Sequence, residues 1–269
     1  MTVVTFSSCF YIIKSKFKPE VYIEWMNHLI SIVDNFFLVI YTDENSLTFI
    51  NTRENPNIKV IVKPMEKFYN YRYKDAWIKN HKNQNKLNKQ TEWKLNMLWS
   101  EKVWFVNETI EHKYFDTEYY GWCDVGYFRN RANDLSTTYL SNWPNPEKIL
   151  KMDKNKIHYA CINNSIGFMM AIEKIIKNKN SRGLPHIPIH PDQQSIAGGF
   201  FVIHKSKMNW WANVYTSKLE LYFRNNYLVK DDQIIIIDCI YSNKEHFMLY
   251  REKHPVFDNW FMFQRLLLS

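Results

Sequence analysis

The chain has 269 residues and a formal net charge of +8 at pH 7; 46% of its residues are hydrophobic and 17% are aromatic. This composition excludes disordered and collagen-like chains and supports one large α/β domain or two small ones. Glycine occurs only 6 times, where average usage of ~7% would give roughly 19 residues, so each glycine becomes a candidate for close ligand approach.

The first quarter of the chain predicts a β-α-β-β order. Residues 3–6 and 36–42 are β-branched and aromatic runs typical of buried strands. Between them, apolar residues recur at helical spacing over residues 19–34. A third strand is predicted over Ile58–Val62. Because strands buried on both faces need helices as cover, we expect an α/β fold with a central, mostly parallel, twisted sheet flanked by helices.

Residues 63–94 hold most of the excess positive charge, with nine basic side chains, Lys86 among them, against three acidic ones. A local basic field suits an anionic partner, although it is also typical of a solvated surface. Helical periodicity is weak over residues 63–90, so we expect a long loop or a mobile polar helix there. Because aromatic residues lie among the basic ones, a nucleic-acid-binding protein remains open as the alternative function. These aromatic residues are Phe68, Tyr69, Tyr71, Tyr73 and Trp77.

The rest of the chain predicts further helices and strands. Residues 91–111 have the strongest helical pattern, with Thr91 as the N-cap. Further strands are predicted at residues 119–125, 157–162 and 196–204. An irregular proline-rich loop is predicted at residues 181–195, and helices are predicted at residues 206–225 and 231–240. The sequence has no internal repeat and no convincing linker, so residues 1–269 are predicted to form a single domain.

Several classes of site are not supported by the sequence. The four cysteines are widely separated and lack metal-site spacing, so we expect reduced, buried thiols. We find no signal sequence and no run approaching the ~20 apolar residues of a membrane helix, and we expect a soluble, cytoplasmic protein. The motifs GxxxxGK[ST], GxGxxG, GxSxG and HExxH are missing, which argues against the common nucleotide, serine hydrolase and zinc protease sites.

Three short segments place acidic residues or glycines where ligands bind in open α/β sheets. The first, residues 122–129, reads WCDVGYFR. Asp124 follows a buried strand and can hold a divalent cation or a ribose hydroxyl, and Gly126 leaves room for a ligand. Arg129 can face an anionic group as a bidentate donor. A strand-ending turn capped by Asp124 is the purely structural alternative.

The other two segments are a glycine pair and an acidic pair. Gly198 and Gly199 begin a strand, where they produce a bulge or let a substrate lie against bare backbone. Asp231 and Asp232 begin a helix. Adjacent acids repel each other, so both are predicted catalytic residues that serve a metal, a sugar hydroxyl or a base role. Capping of the helix by Asp231 would account for one of them.

These segments, in this order, resemble the HtrL/YibB-type (WlaTC-like) family of bacterial glycosyltransferase-like proteins. The matching motifs are W-x-D-x-G-Y-F-R at residues 122–129, I-x-G-G-x-F at residues 196–201 followed by Trp210, and Asp232 with the glutamine after it. Upstream, Lys102 lies three residues after a tryptophan, as in the family's helix. Each motif is short, but together they span nearly the whole chain.

The resemblance implies a GT-A type fold, with a nucleotide-sugar half at residues 1–130 and an acceptor half at residues 131–269. It also implies a nucleotide-sugar donor, with UDP-sugar favoured, and a glycan acceptor. Asp124 matches the aspartate of the DxD-like element that binds metal and nucleotide. The glycine pair matches the backbone under the sugar or acceptor, and Asp232 matches the acidic residue near the acceptor hydroxyl.

The sequence departs from the family pattern at Gly126, which replaces the usual second acid of DxD. The resemblance still implies a metal-assisted reaction with Mn²⁺ or Mg²⁺ on Asp124, and His246 or His254 is a candidate to complete the site.

Other residues are assigned by the needs of the reaction. Lys102 and Arg129 would bind the departing diphosphate, and Trp122 and Trp210 would stack on sugar rings. A metal-dependent phosphohydrolase or nuclease would need more clustered carboxylates and histidines than the sequence offers. Inverting and retaining chemistry both remain open.

Overall fold

A computed structural model describes residues 2–84 and 87–268 of the chain. Within these ranges, seven strands form one sheet: β1 Val4–Phe10, β2 Phe37–Thr42, β3 Ile58–Val62, β4 Tyr119–Cys123, β5 Ile157–Cys161, β6 Ile196–His204 and β7 Phe247–Arg251. The helices are α1 Pro19–Ser31, α2 Glu44–Leu47, α3 Lys74–Lys82, α4 Leu87–Gln90, α5 Trp93–Glu111, α6 Pro146–Leu150, α7 Ile166–Lys177, α8 Lys205–Arg224, α9 Asp232–Ser242 and α10 Met262–Leu266.

The strand order is β3-β2-β1-β4-β6-β5-β7. Strand β6 is antiparallel to both of its neighbours, β4 and β5, whereas the other four pairs are parallel. The prediction of a single α/β domain with a mostly parallel sheet flanked by helices is confirmed, and this architecture is consistent with a GT-A-like fold. The proposed boundary between two halves at residue 130 stays a prediction.

Two hydrophobic cores lie on the two faces of the sheet. Successive residues of β2 contribute to them alternately: Val39 and Tyr41 to one core, Leu38 and Ile40 to the other. Helices α5, α7, α8 and α9 bury their apolar side chains in the first core, and α1 and α10 bury theirs in the second. This double cover explains why the strands read as apolar runs rather than as alternating patterns.

Several element boundaries differ from those predicted. Strand β1 extends to Phe10 through two buried serines, and the hydroxyl of Ser7 lies 2.8 Å from that of Thr109 on α5. The hydroxyl of Ser7 is thus satisfied inside the fold, whereas that of Ser8 is buried without a hydrogen-bond partner. The prediction that Thr91 caps α5 is wrong: its hydroxyl donates to the carbonyl oxygen of Leu87 at 2.9 Å.

Residues 63–90 were predicted to form a long loop or a mobile polar helix, but where described they form short 3₁₀ helices at Met65–Lys67 and Tyr69–Tyr73, followed by α3 and α4. The carboxylate of Glu101, buried on α5, fixes them by accepting from the backbone N–H groups of Tyr69 at 2.6 Å and Asn70 at 2.9 Å. Lys86 lies outside the described residues.

The aromatic residues of this basic segment pack against the protein. Trp77 is fully buried, and Tyr69 stacks on Trp104 with ring centroids 3.5 Å apart. Phe68 is also buried and contacts Tyr11 and Phe105 edge-on. Rings held in this way are poorly placed to stack on bases, so the structure adds no support to the nucleic-acid alternative.

All four cysteines are free and buried, as expected. Among the described residues, no helix combines the length and apolar character needed to cross a membrane.

Candidate active site

The candidate site lies at the end of the sheet formed by the carboxyl ends of β1 and β4. Because β6 runs antiparallel to β4, the first residues of β6 reach the same end of the sheet. The backbone N–H of Asp124, the residue after β4, donates to the carbonyl oxygen of Gly199 at 2.8 Å and continues the ladder between the two strands. The first two predicted segments are thereby brought into direct contact, as expected for ligand sites in open α/β sheets.

Lys102 joins all three predicted segments. Its Nζ atom lies 3.0 Å from Oδ1 of Asp124, 2.9 Å from the carbonyl oxygen of Gly198 and 3.2 Å from Oδ2 of Asp232. The side chain reaches this point from the middle of α5 and is 9% exposed. One buried ammonium therefore links the end of β4, the start of β6 and the start of α9.

Burial and ion pairing act in opposite directions on these groups. Burial lowers the pKa of Lys102, but the carboxylates of Asp124 and Asp232 outweigh it and hold that pKa above its usual range. For Asp232, burial dominates and raises the pKa to about 7, with the attraction of Lys102 lowering it and the repulsion of Asp231 and Asp124 raising it. Near neutral pH, the ammonium is thus charged while Asp232 exchanges its proton.

Asp231 does not cap α9 in the predicted manner. It occupies the N-cap position, but its side chain accepts no capping hydrogen bond. Its Oδ1 atom is buried without a hydrogen-bond partner, and Oδ2 lies 3.8 Å from Nζ of Lys230. Burial raises the pKa of Asp231, and the surrounding lysines oppose that shift. A buried acceptor without a donor, beside a cavity, can receive a ligand hydroxyl.

The glycine pair makes room for the two carboxylates. A Cβ atom on Gly198 would lie 2.8 Å from Oδ2 and 2.9 Å from Oδ1 of Asp232. A Cβ atom on Gly199 would lie 3.0 Å from Oδ2 of Asp124. The pair was interpreted as a floor under the substrate; in the structure its immediate effect is to let both acidic side chains lie against bare backbone.

Gly198→Ala is expected to lower the free energy of unfolding by about 1–3 kcal/mol, because the new methyl group displaces the Asp232 carboxylate. Gly167→Ala, on α7, is the matched control, since its Cβ would meet nothing nearer than the Ser165 hydroxyl at 4.0 Å. That control should be neutral or stabilising. Urea unfolding of both variants measures the difference, and equal stabilities would contradict the close contact.

Trp122 orients Asp124 rather than presenting its ring to a sugar. Its indole Nε1–H donates to Oδ1 of Asp124 at 2.5 Å, and the residue is only 1% exposed. The ring stacks on Phe105 at a centroid distance of 5.8 Å. The stacking role predicted for Trp122 is therefore replaced by hydrogen bonding to the site carboxylate.

Beside these carboxylates lies a cavity of about 530 Å³, within the size range of small-molecule sites. Arg129 and Lys16 line it, and neither forms a salt bridge with any described residue. The Arg129 guanidinium lies 4.2 Å from the Trp25 ring centroid, and its Nε–H donates to the carbonyl oxygen of Gly126 at 2.7 Å. Two unpaired cations beside a cavity are suited to binding an anion.

Sequence reasoning missed Lys16 and Trp25. Lys16 follows β1 and lies 4.8 Å from the ring centroid of Trp99, while Trp25 is on α1. Had β1 been predicted to end at Phe10, Lys16 would have been a candidate. The segment after β1 lies at the same end of the sheet as Asp124, because β1 and β4 are parallel neighbours.

Three predicted residues lie elsewhere. Trp210, on α8, contacts His246 at a centroid distance of 4.2 Å and Phe247 at 6.0 Å. These residues are at the start of β7, the edge strand, which β5 and β6 separate from β4. His254 follows β7 and packs against Phe257 at 4.9 Å. None of the three predicted residues lines the cavity, so we correct their assignment to the sugar and metal sites.

The donor set around Asp124 does not fit a divalent cation. Within residues 2–84 and 87–268, no three His, Cys, Asp or Glu side chains form a group that could hold a metal. The oxygen atoms of Asp124, Asp232 and Gly198 that face a common point already surround the ammonium of Lys102. The predicted Mn²⁺ or Mg²⁺ thus receives no ligand set from the side chains as they are placed.

The sequence model of a family described as "Bacterial protein of unknown function (HtrL_YibB)" matches residues 13–269. The chain therefore belongs to the HtrL/YibB family, which confirms the family part of the resemblance. A comparison with curated proteins finds no match.

Proposed function

We propose that this protein is a glycosyltransferase that moves a sugar from a nucleotide-diphosphate sugar, with UDP-sugar favoured, to a hydroxyl of a glycan or other acceptor. The observation that carries the proposal is the composition of one cavity. Asp124 and Asp232 lie on one side of it, and the unpaired cations Arg129 and Lys16 also line it. Such a site can bind a diphosphate and activate a hydroxyl in the same place.

The cations suit the leaving group. When the bond between the anomeric carbon and the diphosphate breaks, negative charge develops on the phosphate oxygens. Arg129 is held by stacking on Trp25 and by its Nε–H bond to Gly126, which leaves the terminal N–H groups of its guanidinium for phosphate oxygens. Lys16 adds a second positive charge, so the developing charge is stabilised by groups already in position.

Asp232 suits the acceptor. In an inverting reaction, the acceptor oxygen forms a bond to the anomeric carbon, the bond to the diphosphate breaks, and the hydroxyl proton passes to the Asp232 carboxylate. A pKa of about 7 matches a general base that works near neutral pH. In a retaining reaction, the same carboxylate would position the donor. The proposal covers both outcomes.

Hydroxyl groups of the sugar would satisfy atoms that the protein leaves unpaired. Oδ1 of Asp231 is buried without a donor, and a sugar hydroxyl can supply one. Trp99 and Trp260 also line the cavity and offer apolar ring surfaces. These two rings replace Trp122 and Trp210 as the proposed aromatic contacts.

Thermal unfolding with UDP, GDP, CMP and dTDP tests the nucleotide part of the proposal. At 100 times its dissociation constant, the preferred nucleotide should stabilise the fold by about 2.7 kcal/mol, a rise in Tm of several degrees, and we expect UDP to give the largest shift. Uridine, which lacks the diphosphate, is the control and should give a much smaller shift. No shift with any of the four nucleotides would contradict the proposal.

A further inference from the structure

We propose that Lys102 occupies the position of the divalent cation in this site, so that transfer proceeds on side-chain cations alone. The inference rests on the proposed function and deepens it. It concerns how the negative charge of the donor diphosphate is balanced and which ion, if any, must accompany the nucleotide.

The oxygen atoms that could bind a metal ion already surround Nζ of Lys102. The ammonium donates hydrogen bonds to Oδ2 of Asp124 at 3.3 Å and to the carbonyl oxygen of Gly198 at 2.9 Å, and it forms an ion pair with Oδ2 of Asp232 at 3.2 Å. A metal ion would need these oxygens at about 2.0–2.6 Å and would have to expel the ammonium to reach them. The oxygen cage is thus already filled by a cation that belongs to the chain.

The Lys102 ammonium lies 3.0 Å from Oδ1 of Asp124 and 3.2 Å from Oδ2 of Asp232, where a metal ion bound to both carboxylates would have to lie. A divalent cation bound to Asp124 would lie close to this ammonium and be repelled by it. The ion pair between Lys102 and Asp124, 3.0 Å apart, already offsets the charge of the carboxylate that a metal would use.

The Trp25 ring lies against Gly126, where the family pattern has a second acid. A Cβ atom on Gly126 would lie 2.6 Å from Cε3 of Trp25, an atom of a rigid ring. Trp25 in turn carries the stacked guanidinium of Arg129. The space that the side chain of a second metal-binding acid would need is therefore filled by Trp25, which holds Arg129 in the cavity. The absence of that acid at Gly126 and the presence of the Arg129 cation thus have the same structural cause.

Titration with Mn²⁺, followed by electron paramagnetic resonance, tests the inference without any donor sugar. The wild-type protein should show no stoichiometric Mn²⁺ site. Lys102→Ala should gain one Mn²⁺ site and bind Mn²⁺ at least about tenfold more tightly than the wild-type protein, because the oxygen atoms around the Lys102 ammonium are then left without a cation. Lys218→Ala is the matched control: the Lys218 side chain is 11% exposed and its Nζ lies 2.9 Å from Oδ1 of Asp238, but that pair lies outside the cavity.

A wild-type site for one Mn²⁺ that is lost in Asp124→Asn would overturn the inference, as would a folded Lys102→Ala variant that gains no site. Should Lys102→Ala fail to fold, the wild-type titration decides alone. If UDP binds equally well with EDTA and with Mn²⁺, the inference is supported, and if it binds only with Mn²⁺, the inference fails. Failure of every nucleotide to bind would instead contradict the proposed glycosyltransferase function. The Mn²⁺ titration would still test the role of Lys102 on its own.

Discussion

Asp232→Asn is expected to lower kcat by about 10²–10⁴-fold, with little change in affinity for the nucleotide. The carboxylate is 7% exposed and lies against the bare backbone of Gly198, so asparagine fits the same space but accepts no proton. The donor-binding cations Arg129 and Lys16 are unaffected. Initial rates of nucleotide release in the presence of acceptor, measured over donor concentration, separate kcat from KM.

Asp43→Asn is the matched control for this variant. Asp43 also follows a strand, β2, but its carboxylate caps α2 by accepting from the N–H of Ser46 at 2.8 Å, and asparagine caps equally well. This control should retain full activity. An Asp232→Asn variant with activity close to that of the control would remove the proposed base.

The same substitution predicts a pH-dependent difference in stability. The pKa of Asp232 is about 7 in the folded protein and ordinary, near 3.9, in the unfolded chain. Its contribution to stability is therefore complete below about pH 4 and is lost as the pH rises through 7. Relative to wild type, Asp232→Asn should become more stable between pH 5 and pH 8. Glu101, whose pKa burial also raises to about 7, is present in both proteins and largely cancels.

Arg129→Met is expected to weaken UDP binding by about 10–150-fold, the equivalent of the 1.5–3 kcal/mol typical of a hydrogen bond to a charged group. The methionine keeps an apolar contact with Trp25 but removes the unpaired guanidinium. Isothermal titration calorimetry measures the change. Because the affected interaction strengthens as the diphosphate departs, kcat should fall as well.

Arg72→Met is the control for Arg129→Met. Arg72 also stacks on an aromatic ring, 3.6 Å from the centroid of Tyr69, but it lies in the basic segment and does not line the cavity. Unchanged UDP binding is expected. A loss of binding in Arg72→Met and not in Arg129→Met would move the anion site to residues 63–94.

The sequence predicted the fold class and several elements of the fold, because their hydrophobic patterns are local. Strand β6 was predicted with its observed boundaries, Ile196–His204, and α8 was predicted within one residue at each end. Strand β1 was predicted too short because its buried Ser7 and Ser8 interrupt the apolar run. Strand β7 and helix α7 were missed. The amphipathic pattern of Ile166–Lys177 and its N-cap Ser165 are visible in the sequence and could have predicted α7, whereas β7 is only five residues long.

The candidate site was predictable where its residues follow strands and not where it depends on tertiary packing. Asp124 and the glycine pair come together because β4 and β6 are neighbours. Trp210 and His246 also come together, but at β7 on the far edge of the sheet. Composition alone marks the glycine pair as unusual. Its contact with two carboxylates could not be predicted, because that contact depends on where α9 packs against the sheet.

A crystal structure with UDP bound tests the glycosyltransferase proposal most directly. We expect UDP in the cavity at the carboxyl ends of β1 and β4, with phosphate oxygens on the terminal nitrogens of Arg129 and the Lys102 ammonium still bound to Asp124. The contrary result is a cavity that stays empty at saturating UDP, or a nucleotide bound instead on the basic surface of residues 63–94.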